Sequence, residues 1–260
     1  MLNEITPLLI TFNEAPNIAR TLSKLSWARD VVIVDSHSRD QTRELAMATH
    51  SRVRWFERAF TTHAEQWTFA LEATGITTEW VLALDADYVL TDALVEELKQ
   101  LRPAANINGF EARFVYCIEG QPLRCGAYPP VVVLYRRARA KYEQDGHAQR
   151  VRVEGVIERL GHPVLHDDRK PLSHWLRSQS KYMKLEVDKL EKTPASELAF
   201  IDRLRQWIFV APPAMFVYCL IGKGGILDGK AGLYYAMQRT AAEMILSLNL
   251  LERMVVRRGR

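Results

Sequence analysis

The feature that most constrains this 260-residue chain is a rhythm in its first third, where short apolar runs alternate with helical patterns. Pro7 to Phe12 (PLLITF), Val31 to Asp35 (VVIVD), Val53 to Phe56 and Trp80 to Leu84 (WVLAL) are too short for helices, and the longer ones are apolar on both faces, as buried strands are. Between them Ala15, Ile18, Ala19, Leu22 and Leu25 take helical spacing, Asp40 can cap a helix over QTRELAMA, and Ala64 to Ala73 gives a third helix. Strands separated by helices imply a parallel sheet with ligands at its carboxyl edge.

After a helix over Thr91 to Leu101 the pattern changes. GFEARFVYCIEG and VVVLYRR are strand-like with no helix between them, which predicts an antiparallel or mixed continuation, and the apolar segment Gly161 to Leu165 leads into His166. Beyond Pro171 the pattern is almost wholly helical. Leu172, Trp175, Leu176, Tyr182, Met183 and Leu190 lie near one face, a second helix is expected over Ser196 to Phe209, and an apolar-rich one runs from about Leu233 to Val256. The expected organisation is an α/β domain over residues 1–170 followed by a helical extension over 171–260.

Composition bounds the function. With 48% hydrophobic and 25% charged residues the chain is globular, which excludes disordered and collagen-like classes. Three cysteines without a CxxC spacing exclude a disulfide scaffold, a zinc knuckle and dithiol chemistry, and fit a reducing cytoplasm. The N-terminus has no basic, apolar and small-residue succession of the secretory type. The longest apolar run, Trp207 to Ile221, contains two prolines and falls short of the ~18 to 20 residues of a bilayer span, so no transmembrane helix is expected.

The net charge of +4 is unevenly placed: residues 171–260 hold 14 Lys and Arg against 8 Asp and Glu. No nucleic-acid motif accompanies this basic part. The segment WIFVAPPAMFVYCLI next to KGG, with a final helix ending in RRGR, points to docking on anionic lipid at the inner face of the cytoplasmic membrane; core packing and dimerisation are the competing readings.

The most informative chemistry is in WVLALDADYVL. A strand that delivers Asp85 and Asp87 at spacing i, i+2 places hard oxygen ligands at the sheet edge, suited to Mg²⁺ or Mn²⁺ with a diphosphate, although an Asp-rich turn also simply ends a strand. Asp35 ends an earlier strand and can accept hydrogen bonds from a ribose or a base imide. The first strand exits into Thr11 to Glu14, so three strand exits offer polar groups to one ligand. GGILDGK (Gly224 to Lys230) matches a phosphate-loop spacing but has Ala231 where Ser or Thr is needed, and no GxGxxG follows the first strand.

On these residues the chain resembles a family 2 glycosyltransferase of GT-A fold: LLITFNEAPNIARTL, VVIVDSHSRDQT and EWVLALDADYVL stand in the order such enzymes show. PVLHDDRKPLSHWLRSQSKYMKLE and KGGILDGKAGLYYAM resemble the subgroup of lipopolysaccharide-core glucosyltransferases. The resemblance implies nucleotide-sugar binding by Thr11, Asn13, Glu14 and Asp35, Asp85 and Asp87 as diphosphate and metal aspartates with Mg²⁺ or Mn²⁺, and His166 on the metal. His162 and His174 have no such support. It also implies an inverting transfer of a hexose from a UDP-sugar to a saccharide or glycolipid in envelope polysaccharide assembly.

Such a transfer needs a base for the acceptor hydroxyl. The candidates lie in YEQDGHAQRVRVEG, taken as a polar loop. Relatives carry His-Glu here, whereas His147 is followed by Ala148, which leaves Asp145 first, then Glu143 or His147; Asp145 with Gly146 also suits a plain turn. Two other functions fit the same sequence: a polyprenyl-phosphate sugar synthase, which needs no such base, and an inactive nucleotide-binding module.

Overall fold

The four apolar runs are strands β1 (Ile5–Thr11), β2 (Val31–Asp35), β3 (Val53–Glu57) and β4 (Trp80–Asp85), with helices α1 (Ile18–Ser23), α2 (Thr42–Thr49) and α3 (His63–Glu72) between them. The structure is a computed structural model that describes residues 1–145, 148–194 and 196–258, the side chains of 144, 145, 148, 149, 257 and 258 lying outside that description. β1, β2 and β4 are almost wholly apolar because both faces are covered, whereas the edge strand β3 is half-buried and carries Arg54 and Glu57. Leu9, Ile33, Leu82 and Leu84 pack on one side with Ile18 and Leu22 of α1 and Ala46 of α2, while Leu8, Val32, Val34 and Val81 pack on the other with Trp67 and Ala70 of α3. Asp40 serves the start of α2 from one residue before the N-cap, accepting the Thr42 amide at 3.1 Å.

After β5 (Tyr88–Leu90) and α4 (Asp92–Gln100) come β6 (Ile107–Ala112), β7 (Phe114–Ile118), β8 (Gln121–Pro122) and β9 (Val131–Arg136). The next strands are β10 (Ala140–Asp145), β11 (Ala148–Val153), β12 (Val156–Arg159) and β13 (Val164–His166). The main sheet has the order β12-β6-β9-β4-β1-β2-β3, parallel from β4 to β3, with β9 antiparallel to both β4 and β6. This is the mixed continuation expected from the sequence. Register brings Thr11 opposite Asp35 and Ile10 opposite Asp85, so the polar strand ends share one edge. A second small sheet pairs β13 with β5 and β7, setting His166 opposite both Tyr88 and Tyr116.

The segment expected as a polar loop is instead the antiparallel hairpin β10 and β11. Its alternation explains why: Tyr142, Val151 and Val153 pack against the α3 side of the core, Tyr142 stacking on Trp67 at 5.4 Å, while Glu143 and Arg152 pair outward at 2.9 Å.

The chain forms two compact units, residues 1–120 with 128–170, and 121–127 with 171–260. The second contains α5 (Leu172–Lys192), α6 (Phe200–Arg205), α7 (Ala211–Val217) and α8 (Gly229–Arg258), with a π-helical turn at Tyr218–Gly222 and a 3₁₀ turn at Gly225–Asp228. The helix expected over Ser196 to Phe209 shrinks to α6, because Glu197 closes a turn on Pro194 and Leu198 drops into the core beside Met183, Val187, Leu246 and Leu250. GGILDGK is the turn that starts α8 rather than a loop after a strand, and a side chain at Gly232 would collide with the Gly225 carbonyl. Among the described residues no helix is long and apolar enough to cross a membrane, and all three cysteines are buried and free.

Candidate active site

The candidate site is built wholly within the first unit, from the exits of β1, β2 and β4 and the segment after β13. Asp35 is 2% exposed and binds locally: one oxygen accepts from Thr11 Oγ1 at 2.8 Å and Ser38 Oγ at 2.6 Å, the other from the Ser38 amide at 2.6 Å. A carboxylate offers about four acceptor positions, of which these contacts fill three. Asn13, at φ +54°, accepts the Arg39 amide at 2.8 Å and donates its own to Ser38 Oγ at 2.7 Å; Glu14 donates its amide to Thr42 Oγ1 at 2.8 Å. A left-handed Asn is among the few non-glycine residues that adopt such a turn readily. The β1 exit is thereby tied to the β2 exit at three points.

The Glu14 side chain turns the other way, toward the segment after β13. Its two oxygens take Lys170 Nζ at 2.5 Å and Asn17 Nδ2 at 2.9 Å. Asn17 also donates to Asp168 at 2.9 Å and accepts from Arg20 at 2.7 Å and the Arg169 amide at 2.9 Å. Asp167 is held by Arg20 at 2.6 Å, Arg169 at 2.9 Å and the Gly120 amide at 3.0 Å. Burial pushes the Glu14 carboxyl up to about 8 even with Lys170 drawing it down, and Asp87 adds to the rise. Lys170 is held above its usual range, because Glu14 and Asp168 outweigh its own burial.

At the end of β4 the Asp85 carboxyl is raised to about 6, first by burial and then by the neighbouring Asp87. Asp87 is held below the carboxylate range despite burial, by His166 and Lys170. His166 Nε2 lies 3.2 Å from Asp87 Oδ2, and its imidazole is raised because Asp87, Asp85 and Asp168 overcome burial. Tyr88, Tyr116 and Tyr128 surround the ring at centroid distances of 5.3, 4.8 and 5.0 Å, and the Tyr88 and Tyr128 hydroxyls share a hydrogen bond of 2.5 Å. His166 Nδ1 is buried without a hydrogen-bond partner.

Among the described residues no three His, Cys, Asp or Glu side chains converge to hold a metal ion. The donor types nevertheless fit Mg²⁺ or Mn²⁺: two carboxylates, one raised by the other, beside an imidazole nitrogen already directed at one of them.

The geometry thus brings Thr11, Asn13, Glu14, Asp35, Asp85, Asp87 and His166 to one edge of the first unit. Glu143 is exposed on the hairpin and paired to Arg152. The Asp145 side chain and the whole of His147 lie outside the described residues, as does the Ala148 side chain. Sequence reasoning missed Asn17, Arg20, Asp167, Arg169 and Lys170. The only local signal was the charged run DDRK directly after a strand.

A mixed sheet in this order, with the polar exits of three parallel strands gathered at one edge and a helical region following, is the GT-A fold. Residues 8–114 match the model of the glycosyl transferase family 2. The structure is similar to that of S. aureus TarS in complex with UDP-GlcNAc, at 12% identity over 92% of this chain and 90% of that one, with a TM-score of 0.50. It also matches, at 13% identity and a TM-score of 0.45, the Mycobacterium tuberculosis glucosyl-3-phosphoglycerate synthase in complex with Mn²⁺, UDP and phosphoglyceric acid, over 75% of this chain and 81% of that one. No curated protein sequence matches the chain.

Proposed function

We propose that this protein is an inverting glycosyltransferase that moves a hexose from a UDP-sugar to a saccharide or glycolipid acceptor in bacterial envelope polysaccharide assembly. The observation that carries the reading is the delivery of Asp85 and Asp87 by β4 to the same edge as Thr11 and Asp35, with His166 closing on Asp87. The family match over residues 8–114, and a fold shared with a protein that binds UDP-GlcNAc, support it.

In this reading residues 1–170 form the transferase domain and 171–260 its helical extension. Thr11, Asn13 and Asp35 form the nucleoside side, where the pinned turn is preorganised and the remaining acceptor position of Asp35 receives a ribose hydroxyl. Asp85, Asp87 and His166 would hold Mg²⁺ or Mn²⁺, which when bound neutralises charge on the departing diphosphate. Glu14 orients Lys170, whose ammonium adds fixed positive charge beside the two aspartates. The acceptor oxygen attacks the anomeric carbon as its proton passes to the base, the carbon–oxygen bond to the diphosphate breaks, and the configuration inverts.

The base in this reading is Asp145. Replacing it with Asn should lower turnover by roughly 10²- to 10⁴-fold with donor affinity nearly unchanged, because the base meets the acceptor and not the diphosphate. Steady-state turnover and UDP-sugar binding measured on Asp145→Asn, Glu143→Gln and His147→Ala check this. Wild-type turnover in the first variant, or a loss confined to the third, moves the role elsewhere.

The function itself is tested by following UDP release with Mn²⁺ across a panel of UDP-hexoses, with a truncated saccharide core or a polyprenyl phosphate as acceptor. Transfer to the saccharide hydroxyl is the expected result. Transfer only to the lipid phosphate would replace the acceptor assignment, and binding without release in every combination would leave an inactive nucleotide-binding module.

A further inference from the structure

Helix α8 carries two apolar faces, and only one is used within the described chain. Tyr235, Ala236, Ala242, Leu246 and Leu250 are buried, Leu246 and Leu250 in the core that α5 shares. On the other side Tyr234, Met237, Ala241, Met244, Leu248 and Leu251 follow one another at spacings of three and four, and the series continues to Val255. A strict seven-residue repeat over three heptads is the signature of a helix seam that receives a partner helix. Five seam residues, Tyr234, Met237, Met244, Leu248 and Val255, are 39, 59, 52, 65 and 64% exposed.

We propose that this seam pairs with the same seam of a second copy of the chain. Self-pairing requires a surface compatible with itself, and this one carries no charge from Leu233 to Leu251. The two charged residues of that stretch are turned away: Glu243 is buried on Arg205 at 2.7 Å, and Arg239 lies opposite the seam with its Nε buried. The flanking positions Gln238, Thr240 and Ile245 are uncharged too, and the charged Glu252 flanks only the last turn of the seam, so two copies meet without like-charge repulsion from Leu233 to Leu251. At about 200 Å² per large side chain, the exposed fractions of the five residues with Leu233 and Met254 give roughly 700 Å² per protomer, close to the ~800 Å² per partner of a standard interface.

The same features argue against lipid as the occupant. A helix that lies on an anionic bilayer carries Lys and Arg along the borders of its apolar face, whereas the borders here are neutral from Leu233 to Leu251, gain an acidic Glu252 beyond, and the opposite face is protein core. The docking on anionic lipid suggested by the amino-acid sequence rested partly on the terminal RRGR, whose side chains lie outside the described residues.

The test uses the full chain. Light scattering after size exclusion at about 50 µM, well above the dissociation constant of a standard interface, should give twice the 29.8 kDa chain mass. Met237→Glu with Leu248→Glu should raise the dissociation constant at least 100-fold with an unchanged helical circular dichroism spectrum, since both side chains are exposed in the single chain. Met244→Cys on an otherwise native chain should crosslink to its twin with a short bismaleimide, the three native cysteines being buried. A monomeric wild type, a dimer indifferent to the two glutamates together with no crosslink, or a monomer whose sedimentation with phosphatidylglycerol vesicles is lost in the double variant would each overturn the proposal.

Discussion

Asp87→Asn should abolish sugar transfer, by at least about 10³-fold, while the protein stays folded. Asn keeps the volume and can still accept a hydrogen bond from His166, so packing at the end of β4 survives. What it removes is charge. Asp85, raised to about 6 by burial and by Asp87, loses that like-charged neighbour and its carboxyl falls; His166 loses the carboxylate that chiefly holds its imidazole up and falls as well. Turnover at saturating donor and the melting temperature, read on the same preparation, separate the two effects. Retention of half the activity would remove Asp87 from the reaction.

The largest stability effect is expected at Lys170. Its side chain and that of Glu14 are each only 12% exposed, so Lys170→Met removes the cation that a buried carboxyl faces, at a cost that grows toward about 3 to 5 kcal/mol as the pH rises above 8 and the wild-type carboxyl ionises. The pH dependence has a definite sign. Glu14 titrates at about 8 in the folded protein against an ordinary 4.5, so the folded form holds the proton more tightly. Its contribution to stability is full below pH 4.5 and lost as the pH rises through 8. Without Lys170 the carboxyl rises further, so the loss continues to higher pH at the same slope. Glu14→Gln in the Lys170→Met background should recover most of the stability, since neither buried charge remains. Denaturant melts of the three variants from pH 5 to 9 check this, and a single variant as stable as wild type at pH 8 would contradict it.

The parallel part of the sheet was legible because β1, β2 and β4 are buried on both faces and therefore apolar without interruption, and each ends in a polar residue at the same edge. The hairpin was not, because in AKYEQD and AQRVRV the apolar positions Tyr142, Val151 and Val153 alternate with charged ones that face outward, and charge density looked like a loop. Nor was the network on Asn17, Arg20, Asp167 and Lys170. The bonds that join its two halves, Glu14, Asn17 and Arg20 on one side and Asp167, Asp168 and Lys170 on the other, span 147 to 156 residues and form only because β13 joins the small sheet beside β5, a long-range pairing that no local pattern encodes. The tyrosines around His166 were hidden for the same reason: Tyr88 follows Asp87 directly, but Tyr116 and Tyr128 come from other elements. In α8 the sequence showed an apolar-rich helix, and only burial divided it into a core face and a free one.

The central claim is that this edge binds a nucleotide diphosphate through a divalent cation held by Asp85, Asp87 and His166. Calorimetric titration of UDP into the full chain, with Mn²⁺ and then with excess EDTA, tests it most directly. Saturable binding that appears only with Mn²⁺ and disappears in Asp87→Asn is the predicted result. Equal affinity in EDTA, or no binding of UDP under either condition, would contradict it.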